Sequence, residues 1–339
     1  MLAANCFAEV RNKTAIAPTS AQLLKALQHE LEQKYPYRLS SEAALVLTTL
    51  IATLWQENTE ILSWLKGCLQ LDSYSYVPES AVQSIAQGWK DDPETLPWLK
   101  ERAQHDEHGA VRSAAVQALV QGWKDDSDTL PLLKEHARYD ADEFVRIAAV
   151  EALAQGWKDV PNTLPLLKER IQQDENWDVR IAAAEALAQG WKDNPDVLPW
   201  LKECIQQGEN WNVRIAAVQA LAQGWKDNPD TLPMLKECTQ QDEDWNVRIV
   251  AMQALAKDWE DNLQLFEFLC DRVLNDPYEQ GTGAFAMFEN NPRQIALAAI
   301  LRNYPDHPQT LKLLRDRATN DPDEQVRKFA KKRLANLER

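Results

Sequence analysis

The chain has 339 residues, 45% of them hydrophobic, enough to bury a large apolar surface in several domains or in a repeat array. Its formal charge of −15 at pH 7 argues against phosphate-backbone binding, which needs clustered Lys and Arg, and favours a basic or neutral partner over an acidic one. Met1 to Arg11 does not read as a secretory leader, and the longest apolar run, Ala43 to Trp55, carries threonines and is too short to span a bilayer, so a cytoplasmic protein without membrane contact is expected.

From the N-terminus, residues 1–40 read as a helical cap and linker, 41–275 as regular repeats, 276–291 as an insertion loop, and 292–339 as C-terminal repeats with their cap. The division rests on an internal period. Gly-Trp-Lys begins at Gly88, Gly122, Gly156, Gly190 and Gly224, each 34 residues after the one before. Trp55 and Trp259 extend the series in register, and Arg293 and Tyr304 resume it eleven residues late, after the insertion. Within one unit, Asn194 to Trp225, the pattern predicts two helices. Asn194 is the expected cap of the first, with Pro195 at its first helical position, where a missing N–H costs nothing. Asn212 is the expected cap of the second, equivalent to Asp178 and Asn246, and Val213, Ala216, Ala217, Ala220, Leu221, Gly224 and Trp225 fall on one helical stripe. A lone alanine-rich hairpin leaves that stripe wet. Stacked hairpins bury it as one continuous core, so the expectation is an all-α solenoid of about nine helical hairpins.

The tetratricopeptide pattern W-x2-L-G-x2-Y is absent. Present instead are a proline in the first helix (Pro97, Pro131, Pro165, Pro199, Pro233) and Val-Arg opening the second (Arg112, Arg146, Arg180, Arg214, Arg248, Arg327). These residues resemble the HEAT family, and especially its branch similar to phycobilisome-lyase repeats, from about Ser40 to the C-terminus. The resemblance implies HEAT-type hairpins in a right-handed, armadillo-like superhelix whose second helices line a concave surface. More narrowly, Gly-Trp-Lys-Asp-Asn-Pro-Asp and Trp-Asn-Val-Arg-Ile-Ala-Ala-Val look like the arrays carried by cyanobacterial NACHT-type NTPases, and Met1 to Lys13 resembles the stretch that joins such arrays to the NTPase core. That likeness implies a non-catalytic recognition or sensor module of a signalling or defence NTPase, although no G-x-x-x-x-G-K-[ST] occurs in this chain. The alternative is a phycobilin lyase or isomerase, which uses related repeats.

His29, His105, His108, His136 and His307 form neither HExxH nor another metal-ligand spacing, so no catalytic residue, metal or cofactor is assigned. Cys6, Cys68, Cys204, Cys238 and Cys270 contain no CxxC pair, and Cys204 and Cys238 are expected to be reduced, half-buried packing residues. Arginines suit acidic ligands, but the ladder Arg112 to Arg248 is read as bridging neighbouring repeats, with Asp142 or Asp178 as partners. The tryptophans Trp55, Trp89, Trp123, Trp157, Trp191, Trp225 and Trp259 are read as core.

Three groups are candidate partner-binding residues. Glu151, Glu185, Gln189 and Gln219 belong to a row of Gln and Glu on the second helices that either holds a basic or neutral protein or peptide, or is a solvated face whose amides satisfy one another. Trp177, Trp211 and Trp245, in the turn between the two helices, form either an exposed aromatic ridge or staples over the next hairpin. Phe285 and Phe288 lie in the insertion, which is either functional or a docked apolar lid. A monomer is expected unless an NTPase domain is fused to it.

Overall fold

Alanine at every third or fourth position lets two helices approach closely, and here it does so repeatedly. In the computed structural model, which describes residues 17–32, 40–71, 76–260, 262, 264–279 and 290–337, all regular structure among the described residues is helical. Contacts divide the chain into two compact units, Met1–Arg170 and Ile171–Arg339.

The first unit holds α1 (Ala17–Leu31), α2 (Ser41–Leu54), α3 (Thr59–Gly67), α4 (Val77–Gly88), α5 (Thr95–His105), α6 (Gly109–Gly122), α7 (Thr129–Tyr139), α8 (Glu143–Gly156) and most of α9 (Thr163–Gln173). Helices α5 and α6, and α7 and α8, pair as hairpins, while α2, α4, α6 and α8 stack in succession. Ala81, Ala115 and Ala149 are fully buried in that stack beside Ile85, Leu119 and Leu153.

The second unit repeats the scheme with α10 (Trp177–Gly190), α11 (Val197–Gln207), α12 (Trp211–Gly224), α13 (Thr231–Gln241), α14 (Trp245–Asp258), α15 (Leu265–Asn275), α16 (Pro292–Asn303), α17 (Thr310–Asn320) and α18 (Glu324–Leu337). Here α10, α12, α14, α16 and α18 stack, each of the last four paired with the helix before it. Ala183, Ala217 and Ala251 are again fully buried, with Leu187, Leu221 and Leu255. Glycine is required where the helices come closest. A Cβ on Gly224 would stand 3.2 Å from both the Cβ and the carbonyl oxygen of Ala188, and one on Gly88 would stand 3.3 Å from the Ala52 Cβ.

Two helix starts differ from the expectation. The expected cap Asn194 lies in a turn before the helix: its side chain accepts the Asp196 N–H at 3.0 Å, and α11 begins only at Val197. Pro195 therefore shapes that turn, and Pro199 is the proline of the first helical turn. The expected caps Asp178, Asn212 and Asn246 sit one residue inside their helices. The caps are Asn176, Asn210 and Asp244, whose side chains accept the N–H groups of residues 178, 212 and 246 at 2.8 to 2.9 Å. In both places a side-chain oxygen accepts the amide two residues on: at Asn194 this closes a turn ahead of the helix, so the helix starts later than expected, and in the second helices it makes the residue two positions earlier the cap.

The Gly-Trp-Lys tryptophans are corrected too. They are not the last residues of the second helices but their C-caps, with φ near −130° and an N–H bonded to the carbonyl four residues back. Trp89, Trp191 and Trp225 are buried, whereas Trp55, Trp123, Trp157 and Trp259 are only half-buried. Their carbonyls, left over at the helix end, accept hydroxyls from the next first helix: Thr129 to Trp123 at 2.9 Å, Thr163 to Trp157 at 2.8 Å and Thr231 to Trp225 at 2.7 Å. This bond ties the recurrent threonine to the tryptophan six residues before it.

Candidate functional site

The arginine at the fourth position of the second helices is buried at Arg146, Arg180, Arg214 and Arg248 and half-buried at Arg112, and at Arg112, Arg214 and Arg248 its donors are taken up by the fold. Arg112 donates Nε and Nη2 to the two Asp140 oxygens at 3.0 and 2.6 Å. Arg214 does the same to Asp242 at 2.9 and 2.9 Å, and Arg248 to Asp276 at 3.0 and 3.0 Å. In each, Nη1 donates to the carbonyl six residues back, at 2.7 to 2.9 Å. The bridging role holds, but the partners Asp142 and Asp178 are corrected. The acceptor is the C-cap aspartate of the following hairpin's first helix, 28 residues on, and Asp142 instead caps α8 through the Phe144 amide.

Burial costs each pair the hydration of its two ions, and the mutual attraction with its forked hydrogen bonds offsets that cost. At Arg214 desolvation pulls the pKa down, yet the bonds to Asp242 leave it raised overall. The ladder is thus a structural seam between repeats.

The described partner-binding candidates lie at two levels of the second helices, taken unit by unit. Glu151 in the first unit, and Glu185 and Gln189 in the second, are exposed on the outer face of α8 and α10. Gln219 on α12 is half-buried, and its Oε1 accepts no hydrogen bond. Amides do satisfy one another at one point of the row, where Gln83 donates to Gln117 at 3.4 Å.

Trp177, Trp211 and Trp245 are the first residues of α10, α12 and α14, one step inside the helices rather than in the turn. Trp177 is 50% and Trp211 39% exposed. Trp245 differs, being half-buried with its ring edge-on to Tyr278 at 5.9 Å. The ridge reading therefore fits the first two and the staple reading fits the third. Eight residues separate Trp177 from Glu185, about 12 Å along a helix, so the aromatic and amide strips run side by side and do not merge. Phe285 and Phe288 lie outside the described residues. The start of the insertion is docked, since Arg293 donates to the Asp276 and Tyr278 carbonyls at 3.0 Å each.

Cys204 and Cys238 are buried, not half-buried, and desolvation pushes the Cys238 thiol up to about 12. Among the described residues no group of three or more His, Cys, Asp or Glu side chains is placed to hold a metal ion, and no helix is long and apolar enough to cross a membrane. Sequence reasoning missed a groove of about 600 Å³ in the second unit, between Ile295, Leu301, Leu311 and Leu337 with Arg302 and Arg333 at its sides. Only the outward leucines of α17 and α18 could have signalled it.

A family model described as HEAT repeats matches residues 61–154 and 160–279. No curated protein gives a significant match. Among solved structures, the chain is similar to the Escherichia coli protein YibA at 20% identity and a TM-score of 0.45, over 89% of this chain and 99% of that one. It is also similar to Kap121p bound to Nup53p (16% identity, TM-score 0.47) and to Kap121p bound to Ste12p (16%, 0.45). In both cases the match covers 96% of this chain and spans 39% of Kap121p. With more than half of its length matched by the family model and its helices paired and stacked as hairpins, this chain belongs to the HEAT-repeat family.

Proposed function

We propose that this chain is a non-catalytic protein-recognition scaffold whose second helices present an amide- and carboxylate-bearing face to a basic or neutral segment of a partner. The observation that carries the reading is the recurrence of exposed Gln and Glu at one helical position: Gln117 and Glu151 in the first unit, Glu185 and Gln253 in the second. Four residues on, Gln121, Gln155, Gln189 and Gln223 are exposed as well. Such a row satisfies no core requirement, because the stacked faces of the same helices carry the alanines. A charge of −15 favours lysine- or arginine-bearing segments on that row, and the exposed rings of Trp177 and Trp211 offer rigid anchors of the kind enriched at interfaces. The likeness to NACHT-associated arrays supports a finer reading, in which the chain is the sensor part of a signalling or defence NTPase. A nucleotide-binding core in the reading frame upstream of Met1 is the observation expected from it.

The test is fluorescence anisotropy with three labelled amphipathic peptides of equal length, rich in Lys, in Gln or in Glu. The Lys-rich peptide is expected to bind best, and Glu151→Lys with Glu185→Lys to weaken it. Equal binding of the Glu-rich peptide would overturn the reading. A bilin that binds with a shift in its visible absorption, where no peptide does, would favour the lyase or isomerase alternative.

A further inference from the structure

Small residues let the second helices meet, and towards the end of the second unit those residues change. A Cβ on Gly224 of α12 would stand 3.2 Å from Ala188 of α10. In the same register the alanine recurs as Ala222 and Ala256 but gives way to Leu301 in α16. The glycine gives way to Asp258 in α14, Asn303 in α16 and Leu337 in α18. Between α16 and α18 both small residues are thus replaced by leucines. Two leucines cannot come as close as an alanine and a glycine, and the groove of about 600 Å³ opens here, with Leu301 and Leu337 in its walls.

Ile295, Ala298 and Leu301 line the groove half-buried, while Leu311 at 40% and Leu337 at 64% exposure leave its rim open. Arg302 and Arg333, both exposed, stand at its sides, and among the described residues no Asp or Glu lines it. Arg302 donates to the Asn303 side chain at 2.8 Å and to the Ala256 carbonyl at 3.2 Å, and the Arg333 guanidinium lies 5.2 Å from the centre of the Phe329 ring. Among the described residues neither guanidinium is paired with a carboxylate. Helix α18 as a whole carries five Lys and Arg against one acid, on a chain whose charge is −15. The groove is therefore apolar, open and locally basic.

We propose that it docks an amphipathic segment of a partner protein, with Leu- or Phe-sized side chains set between Leu301, Leu311 and Leu337 and with Asp or Glu side chains held by Arg302 and Arg333. Charge selects the acid, because a guanidinium fork matches the two oxygens of a carboxylate and here has none. The open rim selects a segment that enters and leaves along the groove over a small molecule, which a site has to envelop. This site takes the opposite charge to the Gln and Glu row and stands whether or not that row binds basic segments.

The test is fluorescence anisotropy on the full chain with a labelled amphipathic peptide of Leu and Glu, beside a scrambled peptide whose leucines no longer share a face. The first is expected to bind, and the scrambled one to bind about tenfold more weakly or worse. Arg302→Gln with Arg333→Gln, and separately Leu311→Ser with Leu337→Ser, are each expected to weaken the first peptide by about tenfold or more. Melting temperatures should stay near the wild-type value, since all four side chains are exposed. No binding of the amphipathic peptide, equal binding of the scrambled one, or unchanged binding in either double variant would overturn the proposal. So would self-association of the chain that Leu311→Ser, Leu337→Ser abolishes, because the occupant would then be a second copy. In Arg302→Gln, Arg333→Gln the order of the Lys-, Gln- and Glu-rich peptides reports on the Gln and Glu row without this groove, so the two readings fail separately.

Discussion

Asp140 shows how much of this molecule's stability rests on single buried charges. Burial alone would raise its carboxyl, but hydrogen bonds from His136, from Arg112 and from the Asp142 amide outweigh it and hold the group well below the usual carboxylate range. A depressed folded-state pKa means that the stabilisation is complete above the unfolded value, near 3.8, and drains away as pH falls through the folded one. Asp140→Asn is expected to cost up to ~3 kcal/mol at pH 7, because it leaves the part-buried Arg112 without its charge partner. Urea melts at pH 7 and pH 3 check this. The gap between variant and wild type should narrow at the lower pH, and a constant gap would mean that shape, not charge, is at stake. The tryptophans are separable in the same way. Trp225 is buried at 7% exposure, so Trp225→Ala is expected to cost ~3–5 kcal/mol as a large-to-small core change. Trp211→Ala should cost under ~1 kcal/mol, and equal losses in urea would place both rings in the core.

At the scale of the element, the glycines that end the second helices are alike in sequence and unlike in surroundings. Gly224→Ala sets a methyl 3.2 Å from the Ala188 backbone oxygen and Cβ, so α10 and α12 have to part by a few tenths of an ångström. Gly122→Ala meets nothing nearer than the Lys90 Cε at 3.9 Å, the far end of a flexible side chain. The first substitution is expected to destabilise. The second should stabilise by ~0.4–1 kcal/mol, because alanine loses less backbone entropy on folding. Thermal melts of the two variants give shifts of opposite sign if helix approach is the reason for glycine, and shifts of one sign if it is not. The caps make a simpler case: Asn210→Ala removes the acceptor of the Asn212 N–H and is expected to cost ~1 kcal/mol.

For the whole molecule the controlling quantity is charge. At −15 the chain repels acidic polymers at long range, and its attraction for a basic peptide is screened over a Debye length of ~10 Å at 0.1 M salt. Association of the Lys-rich peptide is therefore expected to slow as salt rises from about 50 to 300 mM, while dissociation changes less. The Glu151→Lys, Glu185→Lys variant should flatten that salt dependence and move folding stability by only ~0.5 kcal/mol, since both side chains are exposed. Stopped-flow fluorescence measures both quantities. An unchanged salt slope in the variant would move recognition away from this row.

The 34-residue register, the helical stripe, the buried arginines and the inward alanines follow from the sequence alone, because periodic apolar spacing constrains which face of a helix is dry wherever the helix is placed. The caps of the second helices lay within reach of the same reading but two residues earlier, since a capping side chain acts on the amide two positions ahead of it. Three features were decided only by tertiary structure. Trp177 and Trp245 hold the same repeat position in similar local sequences, yet one is exposed and the other lies against Tyr278, because the neighbour is supplied by a chain segment 33 residues further on. The aspartate that Arg112, Arg214 and Arg248 grip is 28 residues away and is selected by the stacking of hairpins, so nearby acids such as Asp142 and Asp178 were the wrong candidates. The altered arginine at Arg180, whose Nε donates to the Asp174 carbonyl because the position 28 residues on is Gly208, becomes legible only when that long-range pairing is known, for a glycine carries no signal of its own until the side chain it fails to provide has been identified.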